Sequence, residues 1–277
     1  MRNRGYTAGP EEYASARPTA KSAGKGVLLQ RTKTVKAGDF LECEIFPVVA
    51  MEPGIRERRQ KKSPEAIRRI NERNAIKRLE RLMNANFGPG DLLPHLTMAA
   101  ACTEEEMMGV VRAFIRRLRR LAKKRGSALR YIYVLESTGA GDSLKWHVHM
   151  VCNGDFASRD EVEKMWRHGL ARVDRCQRME KGLCGFARYI TMRKETQARL
   201  LRRRWACSKG LKQPTITSSD SKFSRAACAK IAREAEGDAR ALFEKKYPGY
   251  RLIEQPLIRY SDWLPGVYIY AMMERIE

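Results

Sequence analysis

Apolar and polar positions along this chain change period repeatedly, and the changes predict short strands alternating with amphipathic helices. Residues 92–99 read as a strand, flawed by Pro94, which has no N–H to give to a ladder. Thr103-Glu-Glu-Glu106 is a capping box. The helix it opens runs to Lys124, with Met107, Val110, Val111, Phe114, Leu118 and Leu121 on one face. Residues 128–137 are strand-like, and a Gly-rich turn at 138–143 leads into a further strand at 144–152, so the two should form an antiparallel hairpin. Ser158-Arg-Asp-Glu161 is a second capping box, opening a helix to about His168. A short strand at 170–178, a helix at 183–201, a loop at 205–221, a helix at 222–246 and strands at 250–259 and 266–273 complete the pattern. Upstream, residues 40–51 are extended as far as Pro53-Gly54. Ser63 and Pro64 then suit the cap and first position of a helix reaching about Asn84. Residues 1–36 show no period and are rich in Gly, Ser, Ala, Lys and Arg, as a disordered basic arm would be.

The central order, strand-helix-strand-strand-helix-strand-helix, predicts an α+β fold. Its central antiparallel sheet would carry helices on one face and leave the other open. The implied organisation is a basic arm (1–36), an N-terminal extension with a basic helix (37–90) and a main domain (91–277), in which 222–277 is an added helix with strands.

Charge narrows the function. Across 277 residues, 55 Lys and Arg oppose 32 Asp and Glu, a net charge of +23. Such an excess calls for a polyanionic partner, most simply nucleic acid. No apolar run approaches the roughly 20 residues of a membrane span, and no apolar signal core follows Met1, so neither a membrane nor secretion is expected. Seven scattered cysteines without a C-x-x-C pair read as reduced thiols of a cytoplasmic protein. There is no phosphate-binding P-loop.

Two of the four histidines, His147 and His149, lie one residue apart in a strand and therefore face the same side. Glu136 ends the strand expected to pair with them. Two imidazoles and a carboxylate with open positions can hold Mg²⁺ or Mn²⁺ and polarise a phosphate oxygen. The plainer alternative is two half-buried strand histidines and a solvated glutamate. Downstream, Leu183, Phe186, Ala187 and Ile190 form a helical stripe, and Tyr189 lies off it. Arg193, four residues on, shares the face of Tyr189, where it could lower the phenol pKa or clamp a phosphate. Lys194 is turned away. A helix-border tyrosine with no chemical role is the alternative. Candidate DNA contacts are Arg112, Arg116, Arg119, Arg120 and Lys123 on the first long helix of the main domain, then Arg202, Arg203, Arg204, Lys209 and Lys212, with the basic arm. Trp146, Trp205 and Tyr131 are candidates for stacking on unpaired bases, with core packing the equal alternative for Trp146.

Glu136, His147-Val-His149 and Tyr189, in this order and spacing, resemble the HUH endonucleases, specifically the phage-type rolling-circle replication initiators (Rep). The segments 71–88 and 204–214 resemble regions that flank the motifs of those proteins. The resemblance implies an RRM-like, ferredoxin-like nuclease domain in which Glu136, His147 and His149 hold one divalent cation, Mg²⁺ or Mn²⁺. It further implies that Tyr189 attacks single-stranded origin DNA, leaving a 5′-phosphotyrosine link and a free 3′-OH. A separate host helicase and DNA polymerase would act with it, in a bacterial cytoplasm if the gene is phage or prophage encoded, with no small-molecule cofactor. The chain departs from the family pattern twice. Its first motif reads Leu93-Pro94-His95-Leu96-Thr97-Met98, and Met192 stands where a lysine is usual, with Arg193 as the substitute and Lys194 as second choice. His95 is read as a substituted strand residue, with an added ligand as the alternative. Two other functions compete: a non-catalytic single-strand-binding protein on an RRM-like sheet, and a His/Glu metal hydrolase that uses water.

Overall fold

The hairpin expected at 128–152 is formed, and it lies inside a five-stranded antiparallel sheet. The computed structural model describes residues 27–50, 63–138, 145–191, 205–233, 236–260 and 266–276. These group into two compact units, one of residues up to Arg78 together with those from Pro214 onward, the other Leu79–Gln213. The fold class is α+β.

In the first unit, β1 (Val27–Ala37) and β2 (Phe40–Ala50) pair antiparallel around Gly38-Asp39. Gly38 sits at φ 60, a backbone conformation that costs glycine little. α1 (Pro64–Asn84) begins in this unit and ends in the second. Its cap is the expected one, the Ala66 N–H donating to Ser63 Oγ at 3.2 Å. The other elements of this unit are β8 (Thr215–Ser219), α5 (Arg225–Arg233), α6 (Glu236–Lys246), β9 (Tyr250–Leu252), β10 (Leu257–Tyr260) and β11 (Val267–Arg275). The sheet runs β10-β11-β2-β1-β8, with β9 also on β11. Leu41, Cys43 and Ile45 of β2 and Ile269, Ala271 and Met273 of β11 pack with Phe223, Cys228, Ile231 and Phe243.

The second unit holds the chemistry. Its elements are β3 (Leu92–Met98), α2 (Glu104–Lys124), β4 (Tyr131–Thr138), β5 (Lys145–Cys152), α3 (Arg159–Met165), β6 (Gly169–Arg175), α4 (Cys184–Thr191) and β7 (Ala206–Cys207). The sheet order is β6-β3-β5-β4-β7, all antiparallel. The run β3-α2-β4-β5-α3-β6 in that order is the ferredoxin-like arrangement. Both capping boxes read from the sequence are formed, at Thr103 with Glu106 and at Ser158 with Glu161.

Alternation decides what each face of this sheet carries. Leu92, Leu96, Leu135, Trp146, Val148 and Met150 point to one side and bury Met107, Val111, Phe114 and Leu118 of α2 and Val162 of α3. On the other side Ile132, Val134 and Val151 are covered by Leu79, Leu82 and Met83 of α1, by Leu183, Ala187 and Ile190 of α4, and by Leu211. Helices were expected on one face alone. They occupy part of the second face as well, because those three apolar strand residues need cover.

Other expectations are corrected. Residues 27–36, read as part of a disordered arm, belong to β1. The stretch 205–221 contains β7 and β8, and the helix at 222–246 is two helices. Residues 222–277 group with the N-terminal strands, and 79–90 with the sheet that carries the histidines. Pro94 does sit in a strand flanked on both sides, and the register of β3 with β5 lapses at Leu93 and Pro94, where the donor is missing. All seven cysteines are free thiols. Among the described residues no helix is long and apolar enough to cross a membrane.

Candidate active site

Three strands bring the candidate residues together. β5 is flanked by β3 and β4. Glu136 on β4 lies directly opposite His147, and on β3 Thr97 faces His147 while His95 faces His149. Directly paired residues share a face, so His95, Thr97, Glu136, His147 and His149 form one patch. It lies on the side of the sheet that carries α4, past the end covered by Ile190 and Leu183.

Within the patch His149 is the buried member, 4% exposed, and its Nε2 stands 3.0 Å from Glu136 Oε2. Burial first, and then the charge of His95, push the His149 pKa below the ordinary 6.5, while Glu136 pulls the other way. His95 is lowered too, by burial and then by the charge of His147. His147 Nδ1 is 3.0 Å from Thr97 Oγ1, and its Nε2 is 3.5 Å from Thr138 Oγ1. With the proton on Nδ1 and donated to Thr97, Nε2 keeps its lone pair, the state that a metal ligand requires.

α4 delivers Tyr189. Cys184, Ala187, Ile190 and Thr191 are buried, whereas Tyr189 is 60% exposed. Its ring meets that of His149 edge-on, with centroids 5.5 Å apart and planes at 87°. The end of α1 grips this short helix at two points. Asn84 Oδ1 accepts the Leu183 N–H at 2.7 Å, satisfying a backbone donor at the start of the helix. Glu80, 1% exposed, accepts from Arg188 Nε at 2.6 Å. The phenol is thus carried on a helix fixed at both ends, its hydroxyl side left to solvent.

Among the described residues no three His, Cys, Asp or Glu side chains are gathered as a ready metal cage. Glu136 is engaged with His149, and His147 with threonine hydroxyls. The donor types do fit a divalent cation: two imidazoles held neutral or able to be so, and one carboxylate, on one face. A spacing of 3.0 Å between His149 Nε2 and Glu136 Oε2 is also close to that of two ligands each about 2.1 Å from one ion. Turning Glu136 and His147 about their side-chain torsions would complete such a set.

The other candidates divide. Arg193, Lys194, Arg202, Arg203 and Arg204 lie outside the described residues, as do the arm 1–26 and the turn 139–144. Arg112, Arg116, Arg119, Arg120 and Lys123 are exposed, but α2 packs on the sheet face opposite the histidines. Lys209 and Lys212 are exposed beside Leu211, which packs in the same core as α4. Trp146 is no stacking residue: it is 1% exposed and donates from Nε1 to the Cys102 carbonyl at 2.8 Å. Trp205 and Tyr131 are partly buried, Trp205 against the α4 core and Tyr131 against the α2 core. The sequence reading passed over Thr97, Glu80 and Asn84. Period two places Thr97 on the side of His95, but which strand they face follows from the sheet order.

Comparison with known proteins gives one finding. Residues 94–194 match the family described as replication-associated protein, of the ORF2 and gene II protein type. No curated protein and no solved structure matches the chain. The matched stretch runs from Pro94 in β3 to three residues past α4 and holds every residue of the patch together with Tyr189. Over this stretch the chain is similar to replication-associated proteins, and the similarity indicates a role in DNA replication.

Proposed function

We propose that this protein initiates rolling-circle replication by nicking and rejoining single-stranded origin DNA through Tyr189. The observation that carries the reading is the exposed Tyr189 ring set edge-on against His149, which is itself paired with Glu136. The similarity of residues 94–194 to a replication-associated family supports the same reading, as does the net charge of +23.

In this reading Glu136, His147 and His149 would hold a divalent cation, Mg²⁺ or Mn²⁺, which when bound supplies positive charge to a non-bridging oxygen of the scissile phosphate. Tyr189 Oη attacks phosphorus, and the bond from phosphorus to the 3′-oxygen breaks. The phenolic proton ends, by way of solvent, on the departing 3′-oxygen. The products are a 5′-phosphotyrosyl link and a free 3′-OH. One phosphodiester replaces another, so the bond energy is retained and a later 3′-OH can reverse the step. The free 3′-OH suits a DNA polymerase, and unwinding falls to a separate helicase because the chain has no P-loop. Thr97 keeps His147 oriented, while Glu80 and Asn84 keep α4 in place.

The test is to incubate the protein with labelled single-stranded DNA and Mn²⁺, with and without EDTA, under denaturing analysis. A labelled protein band that EDTA abolishes is expected. Salt-sensitive binding without cleavage would indicate a non-catalytic binding protein, and cleavage without a protein-linked product would indicate a hydrolase using water. Either result contradicts the proposal.

A further inference from the structure

Three of the four histidines of the chain stand on one sheet face. His95 and His149 are opposite one another on β3 and β5, with ring centroids 4.2 Å apart and planes tilted by 41°. His95 and His147 lie edge-on at 6.2 Å. Chance placement is a poor account of this. The fourth histidine, His168, lies beside Trp166, off this patch. His95 also has no packing duty on that side. It is half-buried, whereas its strand neighbours Pro94 and Leu96 point into the core formed with α2. Its cross-strand neighbour on the other side is Arg172 of the edge strand β6, a cation with which an imidazole has no favourable pairing.

We propose that His95 is a third imidazole ligand of the cation site, so that the donor set is three histidines and one glutamate, selecting a transition-metal ion of the Mn²⁺, Co²⁺ or Zn²⁺ kind over Mg²⁺. This rests on the reading of Glu136, His147 and His149 as a cation site and says which cation the site takes. Mg²⁺ prefers hard oxygen donors and retains several waters. Each imidazole that replaces an oxygen or a water therefore shifts preference towards the borderline first-row ions. A two-histidine, one-carboxylate site leaves room for Mg²⁺, whereas three imidazoles place nitrogen in the majority. His95 reaches the ion from the β3 side, Glu136 from the β4 side, and His147 and His149 from the strand between.

Cobalt titration of the full-length protein without DNA tests this by a readout independent of nicking. Co²⁺ reports its own coordination in its visible absorption, and its affinity can be measured by calorimetry. The variants are His95→Ala, His95→Cys and His149→Ala, each checked for native circular dichroism. Wild type should bind Co²⁺ and Mn²⁺ more tightly than Mg²⁺. His95→Ala should weaken Co²⁺ by at least the roughly 10- to 100-fold that even an outer-shell partner is worth, with a much smaller change for Mg²⁺. His95→Cys should restore Co²⁺ binding and add a thiolate-to-cobalt charge-transfer band absent from wild type. Unchanged Co²⁺ affinity in His95→Ala, with no such band in His95→Cys, would overturn the role of His95 while leaving the site intact if His149→Ala still abolishes binding. A wild-type protein that binds no divalent ion would overturn the cation site itself.

Discussion

His149 Nε2 and Glu136 Oε2 stand 3.0 Å apart on the diagonal of the β4–β5 hairpin, joining the most buried imidazole of the patch to its only carboxylate among the described residues. Two strand residues of opposite tendency are thereby coupled. Burial disfavours a proton on His149, and Glu136 favours one.

Burial prevails in this balance, so His149 titrates below the ordinary 6.5, and His95 does likewise. A histidine depressed in the folded state binds fewer protons than in the unfolded chain. Its contribution to stability is therefore full above pH 6.5 and is lost as pH falls from 6.5 through the lower folded value. Unfolding stability in urea should decline across that window. Imidazole NMR should place the His149 midpoint under 6.5, and Glu136→Gln, which removes the opposing carboxylate, should lower it further. A midpoint that rises in Glu136→Gln contradicts this account.

The link from Glu80 to Arg188 predicts a loss of both stability and chemistry. Glu80 is 1% exposed and its partner sits next to Tyr189 on α4. Glu80→Ala leaves a guanidinium without its acceptor and should cost about 1.5–3 kcal/mol, measured by denaturant unfolding, and should slow adduct formation as α4 loosens. Arg69→Ala is the control. Its pair with Glu65 is exposed on both sides, at 76% and 61%, so its loss should cost less than about 1 kcal/mol. Equal losses in the two variants would mean that α4 is held by packing alone.

DNA contacts should follow the face. Lys212 is held by two bonds to Asn86, its N–H donating to Oδ1 at 2.8 Å and its carbonyl accepting from Nδ2 at 2.9 Å, and its side chain is exposed beside the α4 core. Lys212→Ala should weaken binding to a short single strand and lower the slope of log K against log salt by roughly 0.7. Arg116→Ala, on the helix behind the sheet, should leave that slope unchanged for the same oligonucleotide. The reverse ranking, from salt titrations of both variants, would place the strand across α2.

Much of the site was legible because it depends on local rules. Period two alone puts His147 and His149 on one side, and the hairpin alone brings Glu136 opposite His147. Tyr189 stood off the apolar stripe of its helix and is exposed as expected. What stayed hidden depends on sheet order. β3 pairs with β5, whereas its sequence successor β4 lies on the other side of β5, so nothing local says that His95 meets His149 or that Thr97 meets His147. β1 was missed for another reason. Its buried residues include Gln30, Thr32 and Thr34, which erase the apolar alternation, and Thr34 is accommodated by a 2.6 Å hydrogen bond between its hydroxyl and that of Tyr247. β8 was missed because it is an edge strand exposed along nearly all its length.

The central claim is that Tyr189 is the residue that becomes joined to DNA. Cleavage after Arg188 and Arg193 releases it in the peptide Tyr189–Arg193, and mass spectrometry of that peptide after reaction with single-stranded DNA and Mn²⁺ reads the claim directly. The account predicts a nucleotide attached through its 5′-phosphate to Tyr189 in wild type and no protein-linked DNA in Tyr189→Phe, whose binding to the same strand is unchanged. A nucleotide attached to any other residue, or an adduct of undiminished yield in Tyr189→Phe, would contradict it.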